Sequence, residues 1–354
     1  MLASLLIRFE ERRLLTRSPR RFQPKNSTQA LALEQFTEAR ASGRIEFIEV
    51  ACPVCGKIDS KLISNADRQG VEVETVRCLN CPTLYSRKRM TEESLEIFYS
   101  EFYRRLYGGV MSPNLEWFEQ QTASGSRILQ TLAARKLISS ASLRVLEIGT
   151  GAGGALLPFR RRGDDVVGID FDERFLDFGR SFGLNLYRGG FELLSELGTF
   201  DVVILKDVLE HLPNPRDSLS HIAQHLSPGG VAYVQVPGLQ ELGQLGYRYD
   251  LLRYLQVAHV CHYTVESLTY LGRTVGLAAE HVDRSGKVLF SHETKDSQQQ
   301  VFTAPSPKFA EDALRRIHLR RIPHALRRLV MLLVPESLKR LLRRCRDARD
   351  AHRR

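Results

Sequence analysis

Two groups of residues in this sequence have the types and spacing for chemistry. The first is four cysteines in two pairs, CPVCG (52–56) and CLNCP (78–82). Cys52, Cys55, Cys78 and Cys81 follow C-x2-C, 22 residues, C-x2-C. Two-residue spacing lets each pair wrap one side of an ion. Four thiolates close a tetrahedral shell, which describes a structural Zn2+ with no open position for a substrate. Unrelated thiols and a redox pair are the alternatives. The second group is EIGTGAGG (147–154), with Asp170 lying 21 residues after Gly149. Gly149 suits a sharp turn, Gly151 a close approach of backbone to ligand, and Gly153 and Gly154 tight packing of a following helix. An acid at that distance receives ribose hydroxyls. The glycines also satisfy G-x-G-x-x-G, so the loop alone leaves a dinucleotide and other adenosyl ligands open. Glu147 narrows the choice, because a carboxylate two residues before the first glycine suits a cationic ligand and opposes a pyrophosphate.

Further along, Glu210 and His211 form an acid–imidazole pair that could move a proton, with Glu210 setting the tautomer or charge of His211. His259, His262 and Tyr263 (HVCHYT) are weaker candidates, equally suited to capping a helix or lining a pocket. Cys261 and Cys345 lack paired partners and read as packing residues.

These residues need elements to position them. LRVLEIG (143–149), DVVGIDF (165–171), FDVVILKD (200–207) and GGVAYVQVP (229–237) are short apolar runs, the pattern of buried strands. Helical stretches separate them, which predicts βαβ units and a mostly parallel sheet. Glu147 and the glycine loop then end the first strand, Asp170 and Phe171 the second, and Lys206 and Asp207 a later one. That is the carboxyl edge where open α/β sheets bind ligands. Residues 91–135 read as helical. Their aromatic run, FYSEFY (98–103), reads mainly as core packing.

Taken together, E-x-G-x-G-x-G at 147–153, the acid-ended second strand, FDVVILKDVLEHL (200–212), LSPGGVAYVQVP (226–237) and HYTVESLTYLGRTVGL (262–277) resemble class I S-adenosylmethionine (SAM)-dependent methyltransferases. The resemblance implies an α/β fold: a Rossmann-like, mostly parallel twisted sheet with helices on both faces. It implies that Glu147, Gly149, Thr150 and Gly151 line the methionine and ribose part of SAM. Asp170 would bind both ribose hydroxyls, Phe171 would lie beside the adenine, and Lys206 and Asp207 would border the cofactor. The family's acid after the third strand is replaced by Gly190, which shifts adenine recognition to Phe191 or to backbone groups. A cysteine module ahead of a Tyr-rich helix is similar to bacterial sugar and polysaccharide-biosynthesis methyltransferases. In that comparison the module helps cover the acceptor site, and Tyr85, Tyr99 and Tyr103 fall in the comparable stretch. The chain lacks their additional C-terminal α/β domain, which leaves O- and C-methylation both open. An RNA or protein methyltransferase and an inactive SAM-binding scaffold are the competing readings.

The domain order expected is a basic arm (1–45), a zinc module (46–90), a helical linker covering the acceptor site (91–140), the SAM-binding domain (141–303) and a basic amphipathic tail (304–354). Residues 301–354 carry 15 Lys and Arg against 5 Asp and Glu, an excess equal to the whole net charge of +10. In the tail, Leu338, Leu341, Leu342 and Cys345 recur at helical spacing between arginines. A second such stretch, LRRIHLRRIPHALRRLVMLLV, precedes it. Basic amphipathic helices bind anionic membrane surfaces or a partner. No apolar run reaches the roughly 18 residues of a span, and the N-terminus lacks a secretory cleavage site. Paired cysteines read as metal ligands in a reducing compartment. A cytoplasmic enzyme, peripheral at the inner membrane face, follows as the expectation. The cysteine region has no arginine-rich helix face, so nucleic acid is not the expected partner, and oligomeric state is not legible.

Overall fold

Capping residues and turn glycines break the chain into short elements. The computed structural model describes residues 26–108, 112–139, 141–242, 247, 249–294 and 303–333. Asn26 accepts the Gln29 amide at 2.9 Å and starts α1 (Ser27–Ala41). Five short strands follow: β1 (Phe47–Glu49), β2 (Ser60–Ala66), β3 (Glu72–Cys78), β4 (Thr83–Ser86) and β5 (Lys88–Met90). Thr91 caps α2 (Glu92–Ile97), which runs on into π-helical turns at Phe98–Phe102 and Arg104–Gly108. Such wide turns are often found at functional sites. Asn114 caps α3 (Leu115–Ala134).

The second half alternates. It runs β6 (Arg144–Ile148), α4 (Leu157–Arg162), β7 (Asp165–Asp170), α5 (Glu173–Arg180), β8 (Asn185–Arg188), α6 (Leu194–Leu197), β9 (Phe200–Lys206), α7 (Pro215–His225) and β10 (Leu226–Gln235). It continues with α8 (Leu251–Tyr254), β11 (Cys261–Tyr263), α9 (Val265–Arg273), β12 (Leu277–Asp283), β13 (Lys287–His292) and α10 (Lys308–Leu333).

Seven strands form the main sheet in the order β12-β13-β10-β9-β6-β7-β8. The pairs β8–β7, β7–β6, β6–β9 and β9–β10 are parallel, while β13 lies antiparallel to β10 and to β12. The expected α/β architecture is therefore present, with the four strands read from sequence at its centre. From β6 the chain builds outward first toward β8 and then, from β9, toward the other edge. The gap between the ends of β6 and β9 is thus the topological switch point, where ligands of such sheets bind.

Each sheet face has its own core. Phe118, Ile128 and Leu132 of α3 cover one face with Val145, Val202 and Ile204. On the other face, Leu146, Ile148, Val203 and Leu205 share a core with Cys52, Cys78, Cys81 and Tyr85. The cysteine region is also stitched in by hydrogen bonds. β2, β3 and β4 form an antiparallel sheet whose fourth strand is β11, supplied from residue 261 onward. Residues 46–90 and the main α/β unit therefore share both a sheet and a core.

The aromatic run 98–103 divides by helix face. Phe98 and Phe102 pack edge-on against Phe36 of α1, at 5.3 and 5.5 Å between ring centroids, as core residues do. Tyr99 and Tyr103 pack on the edge of the same core and also reach His211. The start of α10 docks on the protein itself through Ala310, Ala313 and Ile317. Glu311 there pairs with Arg77 of β3 at 2.8 Å. The stretch with Leu338, Leu341, Leu342 and Cys345 lies outside the described residues. Among the described residues, no helix is long and apolar enough to cross a membrane.

Candidate active site and cysteine cluster

At the carboxyl end of β6 the backbone turns on glycines. Gly149 and Thr150 both donate to the Ile169 carbonyl, at 2.9 and 3.0 Å, which fixes the loop to β7. Gly151 has φ +59°, and its amide donates to Oδ2 of Asp170 at 2.8 Å. A Cβ at Gly151 would lie 2.9 Å from the Trp117 ring and 3.3 Å from the Gln121 amide of α3. Only glycine suits that position on both counts. Gln121 clamps the loop from above, donating to the Thr150 carbonyl and accepting from Gly154, each at 3.3 Å.

Two carboxylates face this loop. Glu147 is buried and accepts the Thr150 hydroxyl at 2.7 Å. Burial raises its pKa to about 7, against the opposing pull of Thr150 and Lys206. A cationic ligand would restore the ionised form. Asp170 ends β7 and accepts from Gly151 and, at 3.0 Å, from the Asp172 amide. Arg104, on the second π-helical turn, pairs with Asp172 at 2.8 Å and reaches Asp170 at 3.6 Å. Its guanidinium stacks on the Phe175 ring at 3.7 Å. The π-helical segment thus touches Asp170 directly, which sequence reading missed; a lone arginine among many carries no signal of its own.

The other residues expected at the cofactor lie around the same edge. Phe171 is 65% exposed beside the loop, with its ring against Gly190. Phe191 turns toward His221 of α7 at 5.8 Å and packs on the core. Glu192 folds back so that its carboxylate accepts the Gly190 amide at 2.7 Å. An acid therefore does stand beside Phe171, two residues later than the position where one was expected. Lys206 and Asp207 form an ion pair at the end of β9. Asp207 holds φ +55°, a conformation that costs a non-glycine residue energy and recurs at functional sites.

Past β9, Glu210 and His211 occupy a 3-10 turn, Leu209–His211. The Val260 amide donates to the Glu210 carbonyl at 2.9 Å, and Nδ1 of His211 bonds the Ala258 carbonyl at 3.1 Å. The Ala258 carbonyl, not Glu210, therefore sets the tautomer of His211, leaving Nε2 free. Glu210 Oε1 stands 3.8 Å from that Nε2, beyond hydrogen-bonding range. Burial lowers the His211 pKa to about 4 and raises that of Glu210 well above the usual carboxylate range. The His259 ring meets His211 at 4.7 Å between centroids, and Tyr103 and Tyr99 follow at 5.4 and 6.0 Å. Tyr254 packs on His262 at 4.9 Å. Tyr263 reaches the Leu209 carbonyl at 3.5 Å, and Tyr85 is buried with the cysteines.

The four expected cysteines do come together. Cys52 and Cys81 sulfurs are 3.6 Å apart, Cys55 and Cys78 sulfurs 3.5 Å, and all four lie within 4.8 Å of one another. A tetrahedral Zn2+ with bonds of ~2.3 Å sets its sulfurs about 3.8 Å apart, so the donor set fits that ion. Gly56, at φ +72°, closes the first turn by donating to the Cys52 carbonyl at 2.8 Å. The Asn80 amide donates to the Cys78 sulfur at 3.3 Å in the second turn. Cys261 is buried beside this cluster in the same core.

Comparison with known proteins accords with this geometry. Residues 117–282 match the family described as "Methyltransferase domain". A ubiquinone biosynthesis O-methyltransferase from Azoarcus sp. (strain BH72) is 34% identical over 104 residues, 26% of this chain and 43% of that protein. Its counterpart from Roseobacter denitrificans is 41% identical over 96 residues, 25% of this chain and 39% of that protein. The chain thus spans less than half the length of these curated relatives. A SAM-bound amino pentose methyltransferase from Micromonospora echinaspora overlays with a TM-score of 0.37 and 18% identity, covering 50% of this chain and 91% of that one. The glycine loop, Glu147, Asp170 and the switch point between β6 and β9 all lie inside residues 117–282, the range that matches the methyltransferase-domain family.

Proposed function

We propose that the protein transfers the methyl group of SAM to an oxygen of a small-molecule or sugar-type acceptor. The observation that carries this reading is the adjacency of two differently equipped clusters of side chains. One side of the switch point offers the glycine loop, buried Glu147 and Asp170, a cradle for a cationic adenosyl ligand. The other side, past Asp207, offers Glu210, His211, His259 and the tyrosines of the π-helical segment. Buried polar atoms there lack hydrogen-bond partners among the described residues: Tyr99 hydroxyl, Glu210 Oε2, His259 Nδ1 and both ring nitrogens of His262. Burying such groups unpaired is costly, so a polar acceptor that bonds them is favoured. The local identity of 34–41% to O-methyltransferases supports oxygen over carbon as the atom that receives the methyl group.

The chemistry is a direct displacement. The acceptor oxygen attacks the methyl carbon, the carbon–sulfur bond breaks, and its electron pair stays on sulfur as S-adenosylhomocysteine (SAH). The protein's work is alignment and removal of the acceptor proton. The cysteine cluster, as a structural Zn2+ site, would hold β4 and β11 in place and through them the His259 and His262 segment. A location at an anionic membrane surface, through the basic C-terminal residues, would suit a lipid-linked acceptor.

The test is calorimetry with SAH and with NAD, followed by a radiolabelled methyl-transfer screen over nucleotide sugars, polyphenols and cell-envelope extracts. Binding of SAH but not NAD, with label entering one acceptor class, supports the proposal. Binding of NAD alone, or SAH binding that survives Asp170→Ala, overturns it.

A further inference from the structure

Glu210, His211 and His259 belong to two segments 48 residues apart that the Val260 amide and the His211 imidazole draw together. Each residue offers one ligand atom, and these atoms lie within 4.8 Å of one another. All three are sequestered, at 2%, 8% and 3% exposure. Glu210 Oε2 and His259 Nδ1 are buried without partners among the described residues. His211 is oriented as metal-binding imidazoles are: Nδ1–H is spent on a backbone carbonyl, which leaves Nε2 with a lone pair facing the carboxylate.

The rival reading makes His211 the base that deprotonates the acceptor. A base needs only the Nε2 of His211, and that reading leaves Glu210 Oε2 and His259 Nδ1 buried without partners among the described residues.

We infer that Glu210, His211 and His259 form a second metal site, distinct from the cysteine cluster, that takes one divalent first-row transition ion and presents it to the acceptor. Two imidazoles and one carboxylate on one side of an ion leave positions open for substrate oxygen. This donor mixture favours ions such as Mn2+, Fe2+ or Zn2+ over the all-oxygen preference of Mg2+ and Ca2+. An acceptor hydroxyl bound there loses its proton to water more readily, since the cation stabilises the oxyanion. The oxyanion then displaces SAH as above. The inference deepens the proposed function and rests on it for the acceptor, but not for the binding of the ion.

Mn2+ binding to the full chain, zinc retained, is followed by the loss of the free Mn2+ electron paramagnetic resonance signal. Mn2+ is too hard to displace zinc from four thiolates. About one equivalent should bind to the wild type, and Glu210→Gln and His259→Asn should each weaken it by at least about tenfold. His262→Asn, one step outside the triad, should leave it unchanged. SAH calorimetry on the same samples reports folding and the cofactor reading separately. No Mn2+ binding by a wild type that binds SAH, or binding equally strong in Glu210→Gln and His259→Asn, overturns the metal site while leaving the methyltransferase reading intact. Failure of SAH binding with retained Mn2+ binding does the reverse.

Discussion

The amide of Gly151 donates to Oδ2 of Asp170 across 2.8 Å, tying the turn after one strand to the acid that ends its neighbour. The second oxygen of Asp170 is held by the Asp172 amide. The carboxylate is therefore fixed in orientation before any ligand arrives. Asp170→Asn keeps the shape but loses the charge that would strengthen bonds to the two ribose hydroxyls of the proposed cofactor. With about 1 kcal/mol of charge assistance lost from each of the two bonds, SAH should bind roughly 10- to 100-fold more weakly. Calorimetry checks this, and unchanged affinity would remove Asp170 from the cofactor site.

Gly151→Ala should harm stability as well as binding. A left-handed backbone costs an alanine about 1–2 kcal/mol, and the new methyl meets the Trp117 ring at 2.9 Å. The melting temperature should fall by about 2–8 °C, with SAH binding lost. Thermal scans of the variant beside wild type give the answer.

If Glu147 faces the cofactor as proposed, it should give binding a pH dependence of definite sign. Burial places its pKa at about 7, so below that pH it is largely neutral and above it anionic. SAM is cationic and prefers the anion. Affinity should therefore level off above pH 7 and fall as pH drops, by up to about tenfold from pH 8 to pH 6. Glu147→Gln should bind more weakly at pH 8 and show a flat profile. A wild-type profile that is itself flat would remove Glu147 from this role.

Loss of the cysteine shell should be felt across the molecule, because β11 is the fourth strand of the cysteine region's sheet. One zinc per chain is expected by elemental analysis. Cys78→Ser, or a strong chelator, should release it and lower the melting temperature by more than about 5 °C. A zinc-free preparation of unchanged stability would show the four sulfurs to be packing residues.

The basic C-terminus should carry any membrane affinity, since the first turns of α10 are committed to the protein's own core at Ala310, Ala313 and Ile317. Truncation after residue 333 leaves that docking intact and removes the arginine-rich remainder. The full chain should float with anionic liposomes and the truncated chain should not, at low salt most clearly. Equal flotation of the two would place the contact elsewhere.

What the sequence by itself determined was local. Apolar runs ending in glycine or acid specify strands and the turns after them, so β6, β7, β9 and β10 and the residues at their ends were legible. The cysteine spacing was equally so, because two residues between thiols constrain the chain regardless of the rest of the fold. Short strands such as β8 and β11 were not, since three or four residues hold too little pattern to stand out. Tertiary packing decided the rest. It set the phenylalanines of FYSEFY in the core and brought its tyrosines against His211, drew Arg104 onto Asp170, and placed Glu192 where no acid was expected. It also gave the tautomer of His211 to the carbonyl of Ala258, 47 residues away. These are contacts between distant segments, whose partners are chosen by how whole elements bury their apolar faces, and no spacing along the chain encodes them.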